Sequence, residues 1–261
     1  MLIVREGKKR VRGIVGQART LLLVARGGET KEIIKEAWRR LYSNGASYIL
    51  RRDLFEPLKP PIAKLAITVR PVRDSDMSRI LKERPRRYSV LRANIPTCYI
   101  AESPDGQLCY MQWLIAPAEQ MRFRSYFCGE LKNLRDDEQL LEFAYTFEKF
   151  RGQGVMAAAM AKIAEQNISK GARWALTFVR EDNLASLKGC KNAGFRPYMY
   201  RTEQWRLFHL KQSFKMLPER SLYPFEAKPA ELTAEMKSLD GDVSAIGRAT
   251  SSESGGQQVL Q

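Results

Sequence analysis

The chain of 261 residues contains one histidine, and its four cysteines are scattered with no CxxC pair. That argues against a His/Cys zinc centre and against a disulfide scaffold, and it predicts reduced, mostly buried thiols in a cytoplasmic protein. No apolar run approaches the roughly 20 residues that span a bilayer. The longest near the start, Leu21–Ala25, is shorter than the hydrophobic region of a signal peptide. Internal repeats are absent. Acidic residues are in deficit, and unevenly so: residues 1–92 hold 23 Lys and Arg against 9 Asp and Glu, a balance of +14, while residues 93–261 hold 21 against 20. A charge split of this kind bears on partners rather than on fold.

What is present divides the chain into four parts. Residues 1–19 are basic and glycine-punctuated and read as an arm. Residues 20–64 read as an N-terminal extension and linker. In it TLLLVA is a strand, 30–42 an amphipathic helix capped by Thr30 and closed by Asn44-Gly45, and ASYILRRDL a second strand, before Pro57, Pro60 and Pro61. The main domain, 65–216, opens with the strand LAITVRP and a helix from Asp74 to about Leu81. After the basic patch RPRRYSVLR (84–92), the runs 97–103 and 107–117 flank Pro104-Asp105-Gly106, a hairpin signal. A strand at 139–147, a helix at 154–169, a strand at 173–179, a helix at 183–192 and strands at 195–201 and 204–210 follow. Residues 217–261 lose periodicity and read as a disordered tail. The order predicts an α/β (α+β) fold, a mixed and mostly antiparallel sheet flanked by helices.

The stretch 139–160, QLLEFAYTFEKFRGQGVMAAAM, organises the rest. An alternating strand enters the turn Arg151-Gly152-Gln153-Gly154, and a helix of small residues leaves it. Residues 150–156 include no Ser, Thr, Asp or Asn, so the first helical N–H groups lack a side-chain cap. Free N–H groups at a helix start, with no acidic residue in the first turn, favour an anion such as a phosphate.

Arg151-Gly152-Gln153-Gly154-Val155-Met156 resembles the pyrophosphate loop of the GNAT superfamily of N-acetyltransferases, Arg/Gln-x-x-Gly-x-Gly/Ala. Asn183-x-Ala185-Ser186 followed by Gly194-Phe195 matches that family's second signature, and the resemblance covers about 65–212. It implies acetyl-CoA as co-substrate and direct transfer of the acetyl group to an acceptor amine. The pantetheine arm would lie along the strand that ends in Thr146 and Phe147. The pyrophosphate would lie on the backbone of Arg151, Gly152, Gln153, Gly154, Val155 and Met156, with Asn183 and Ser186 as further contacts.

Two positions depart from the family pattern. Met156 stands where Gly or Ala is preferred, and Gly189 stands where many relatives carry the tyrosine that protonates the leaving thiolate. Tyr198, Cys190 or water is expected to take that role. Strand alternation puts Leu141, Phe143 and Tyr145 on one face and Glu142, Ala144 and Thr146 on the other, which makes Glu142 the candidate base. The charge of residues 1–92, notably Arg79, Lys82, Arg84, Arg86, Arg87 and Arg92, predicts an anionic acceptor, small or macromolecular. Nucleic acid binding is weighed as an accessory property, and acyl-CoA binding without turnover as an alternative. Gly152-x-Gly154-x-x-Ala157 also satisfies a dinucleotide fingerprint. An oxidoreductase is disfavoured because antiparallel hairpins precede the motif.

Overall fold

The computed structural model describes residues 37–83, 97–123 and 133–226. The basic arm, the first expected strand, most of the helix at 30–42, the patch 84–92 and the chain beyond Glu226 lie outside them. Described residues through Ser221 belong to one compact unit, and 222–226 to another.

Eight strands make one sheet: β1 (Tyr42–Asp53), β2 (Thr68–Pro71), β3 (Cys98–Glu102), β4 (Leu108–Ile115), β5 (Glu138–Thr146), β6 (Trp174–Arg180), β7 (Arg196–Arg206) and β8 (His209–Met216), in the order β2-β3-β4-β5-β6-β1-β7-β8. Every adjacent pair is antiparallel except β5 with β6. The mixed, mostly antiparallel sheet expected from the sequence is the one observed. Three helices matter for the site: α1 (Asp74–Glu83), α2 (Val155–Ala164) and α3 (Leu184–Asn192). In α2, alanines 157, 158, 159 and 161 are all buried beside Val155, Met160 and Ile163, so small side chains bring the helix close to its neighbours.

The placement of β1 departs from the sequence expectation. The strand expected to belong to a preface lies between β6 and β7, antiparallel to both, which makes β6 and β7 parallel to each other. It also starts earlier than expected. Asn44 and Gly45 pair with Gln204 and Glu203 inside the ladder and do not close a helix, because β7 runs on to Arg206 and gives them a partner strand. Arg206 donates to the Asn44 side chain at 2.9 Å. The β7–β8 turn accordingly falls at Leu207-Phe208, where φ is +46° and +64°, and not near 202. Neither residue announces a turn; the Leu207 and Phe208 N–H groups are held by the carbonyls of Leu41 and Arg40.

Buried Arg52 of β1 ties the strand to α2. It donates to the carbonyl of Ala161 at 3.4 Å and to Glu165 at 2.5 Å, a cation at a helix C-terminus where the dipole favours one. Gln139 of β5 reaches the Ala164 carbonyl on the same side. These contacts mark one face of the sheet as helical. Arg51, Leu176 and Leu140, each one residue out of phase with Arg52, Ala175 and Gln139 in the paired register, therefore lie on the far face.

The expected linker is also built in. The Lys64 N–H donates to the Gln153 carbonyl at 2.8 Å. A Cβ on Gly194 would stand 2.9 Å from Leu58, and Lys162 donates to the Ile67 carbonyl at 3.2 Å. Pro57, Pro60 and Pro61 fix φ along this segment, so it lies against the α2 start as an extended strap. At the other end of the chain, Tyr223 and Phe225 of the second unit stack at 5.1 Å. No helix among the described residues is long and apolar enough to cross a membrane.

Candidate active site at the opening between two parallel strands

β5 and β6 pair over three residues only, Glu138–Leu140 with Trp174–Leu176, and then stop, although both strands continue. The cause lies in β5. Between the pairs Trp113 with Glu142 and Met111 with Tyr145, one residue of β4 faces two of β5, and Phe143 has φ +58°. This is a β-bulge, which bends its strand and raises the local twist, and it turns the end of β5 away from β6.

Glu142 sits at the mouth of the opening. Its carboxylate accepts the Phe178 N–H at 2.9 Å, spanning the gap where the ladder has ended. The bulge also corrects the expected alternation. Met111 and Trp113 share a face of β4, so their partners Tyr145 and Glu142 share a face of β5, while Thr146 joins the face of Leu141. Sequence reasoning missed Trp113, the cross-strand partner of Glu142. It is buried, its ring meets Phe143 edge-on at 5.7 Å, and its indole N–H finds no acceptor among the described residues. Only register brings it there, and nothing in the sequence signals it.

Beyond the opening comes the glycine turn. Gly152 and Gly154 have φ +73° and +75°, a region glycine enters at no steric cost. No side chain caps α2, and no acid stands in its first turn. Arg151 is exposed, donating to the Thr146 carbonyl at 3.2 Å and reaching Glu148 at 3.4 Å. Gln153 donates to the Lys149 carbonyl. One expected contact is committed elsewhere, and another position is crowded. The Phe147 N–H is taken by the Cys109 carbonyl at 3.1 Å, and a Cβ on Gly154 would meet the Ile62 carbonyl oxygen at 3.0 Å. The close approach at Gly154 is therefore made by the strap as well as being open to a ligand. Asn183 caps α3, accepting the Ser186 N–H at 3.2 Å.

The two departures from the family pattern are one feature. A Cβ on Gly189 would stand 2.7 Å from Met156 Sδ, so the Met156 side chain occupies the space above a residue without one. A tyrosine at 189 therefore requires the Met156 side chain to move from its present rotamer. Gly189→Tyr is expected to cost roughly 1–3 kcal/mol through overpacking, and Met156→Ala in the same chain to recover most of it. Urea unfolding of the single and double variants checks this; a harmless single variant, or a double variant no better, contradicts the coupling.

Neither side-chain stand-in for that tyrosine is at the opening. Cys190 is fully buried 3.8 Å from Met160 Sδ. Burial pushes its thiol well above its ordinary value, with the charge of Glu142 adding to the effect, so it is a core residue. Tyr198 lies on β7, separated from β6 by β1, about two strand spacings or roughly 10 Å away. Its ring packs on the Arg51 guanidinium at 4.0 Å.

Comparison with known proteins adds likeness to solved structures only. An acetyltransferase of the GNAT family from Colwellia psychrerythraea is similar at 11% identity and a TM-score of 0.43, over 77% of this chain and 73% of that one. A GCN5-related N-acetyltransferase from Sphaerobacter thermophilus is similar at 13% and 0.45, over 74% and 59%. One from Kribbella flavida is similar at 14% and 0.40, over 65% and 60%. All three neighbours are acetyltransferases. No family model and no curated protein matches the chain in sequence.

Proposed function

We propose that the chain is an N-acyltransferase that uses acetyl-CoA and passes the acetyl group directly to an amine. The observation that supports this best is the coincidence of three features on one strand–turn–helix unit: a bulge that parts β5 from β6, a helix start immediately after Gly154 with no side-chain cap, and a carboxylate at the mouth of the gap. A parted pair of strands offers backbone groups to an extended amide-bearing arm, and the helix start offers N–H groups to its phosphates. Arg151 adds a guanidinium beside them.

In this reading Glu142, fixed by the Phe178 N–H, accepts the proton of the attacking amine directly or through a water. No side chain at 189 supplies a proton to the leaving thiolate, so solvent does. A second reading, acyl-CoA binding without turnover, is favoured by that same missing hydroxyl. The described residues form a mostly antiparallel sheet and not the doubly wound parallel sheet that the dinucleotide reading requires.

Calorimetry with acetyl-CoA and a thiol-release assay over a panel of amines test the proposal. Arg151→Glu should weaken acetyl-CoA roughly tenfold or more, since a charge-assisted contact becomes a repulsion. Unchanged affinity would remove the glycine turn from the site. Binding without thiol release from any amine would leave the second reading standing.

A further inference from the structure

The arginines on the far face of the sheet are not equivalent. Arg173 is paired with Asp53 at 3.0 Å, Arg180 with Asp182 at 2.7 Å, Arg196 with Glu56 at 3.1 Å, and Arg201 with Glu203 at 3.4 Å. Arg51 makes no hydrogen bond or ion pair among the described residues. Its charge is felt by Asp53, but that carboxylate is held by Arg173 and the Phe55 N–H. Yet Arg51 is not a loose surface residue. It is half-buried, and its guanidinium carbon lies 4.0 Å from the Trp174 ring centre and 4.0 Å from that of Tyr198.

A guanidinium packed on aromatic rings keeps its N–H edge for ligands in its own plane. The rings also restrict the rotamers that an arginine otherwise loses on binding, which lowers the cost of recognition. A positioned cation with unused, fork-shaped donors matches a phosphate or a carboxylate. We infer that Arg51, clamped by Trp174 and Tyr198, is the receptor for a compact oxyanion.

The sheet register says where that oxyanion stands. Arg51, Leu176 and Leu140 form one row across three strands, and Glu142 lies two residues further along β5 on the same face. At about 4.8 Å per strand and about 3.3 Å per residue, the Cα atoms of Arg51 and Glu142 are roughly 12 Å apart. If the proposed acyl transfer is right, and this step rests on it, the acceptor is a small amine bearing one phosphate or carboxylate several bonds from its nitrogen. The pairing of the other four arginines argues for one anionic group and against a long polyanion. The arginines at 84–92 are not needed for this reading.

The Arg51 side-chain Nε–H resonance, assigned by its absence in Arg51→Met, reports on the receptor itself and separates it from the α2 start. Titration with inorganic phosphate, and separately with acetate, should shift that resonance and show which oxyanion binds more tightly. The Arg51→Lys variant should bind roughly 10–100-fold more weakly, having the charge without the fork. An Arg51 resonance that neither anion moves, while the Arg51→Met protein unfolds at the same temperature as the wild type, overturns the receptor. In the thiol-release assay, ω-aminoalkyl phosphates should outperform alkylamines of equal length, and Arg51→Met should erase that preference with acetyl-CoA affinity unchanged. A preference that survives Arg51→Met overturns the acceptor step alone. Absence of thiol release from every amine counts against the proposed function, and the titration still decides the receptor.

Discussion

Glu142→Gln is expected to lower turnover by roughly 10²–10⁴-fold, the usual contribution of a positioned general base. The amide keeps an oxygen that accepts the Phe178 N–H, so the tether across the opening survives and only the proton acceptor is lost. Acetyl-CoA affinity should barely change, because the glycine turn and the α2 start are untouched. The pH dependence should change as well: the wild-type rate falls as the base becomes protonated, and the variant's rate lacks that limb. Glu142→Leu separates the roles further, since it removes both the base and the tether and should add a loss of stability. Near-normal turnover of Glu142→Gln across neutral pH would make Glu142 a structural bridge and leave deprotonation of the amine to solvent.

Arg70→Leu is expected to destabilise the fold by about 3–5 kcal/mol near neutral pH, as removing one partner from a buried ionic cluster does. Arg70 on β2 donates two hydrogen bonds to Asp76 of α1, at 2.7 and 3.0 Å, and two to Glu102 of β3, at 3.0 and 2.7 Å. The side chains of Arg70, Asp76 and Glu102 are 15%, 5% and 24% exposed, so water reaches Glu102 but does not replace the lost partner at Asp76. The Arg70 hydrogen bonds hold both carboxyls below their ordinary range, against the opposing effect of burial. A carboxyl whose pKa is depressed by folding stabilises above its unfolded value of about 4 and loses that contribution as pH falls through the folded value. Wild-type stability should therefore decline below about pH 4. The gap between wild type and Arg70→Leu should narrow over the same range as Asp76 and Glu102 become protonated. Urea unfolding at a series of pH values measures both. A gap independent of pH would mean that Arg70 contributes packing and not charge.

The sequence determined the local units and their chemistry. Proline and glycine at 104–106, the small residues of 155–164 and the cap at Asn183 act through neighbours a few positions away, so turn, helix and cap were legible in order. The glycine turn with no capping residue was legible for the same reason. Tertiary structure decided whatever depended on a partner distant in sequence. Nothing in YSNGASYILRRD says that it pairs with residues 174–180 on one side and 196–206 on the other, because a strand's neighbours are chosen by the whole sheet. The bulge at Phe143 reversed the faces of Tyr145 and Thr146, since one unpaired residue shifts a period of two. Met156 and Gly189 read as two separate departures from a pattern until the fold brought them into contact. Tyr198 and Arg51 changed meaning in the same way. One read as a candidate acid and the other as a strand residue, and only the lateral order of β6, β1 and β7 made them, with Trp174, the two sides and the centre of a clamp.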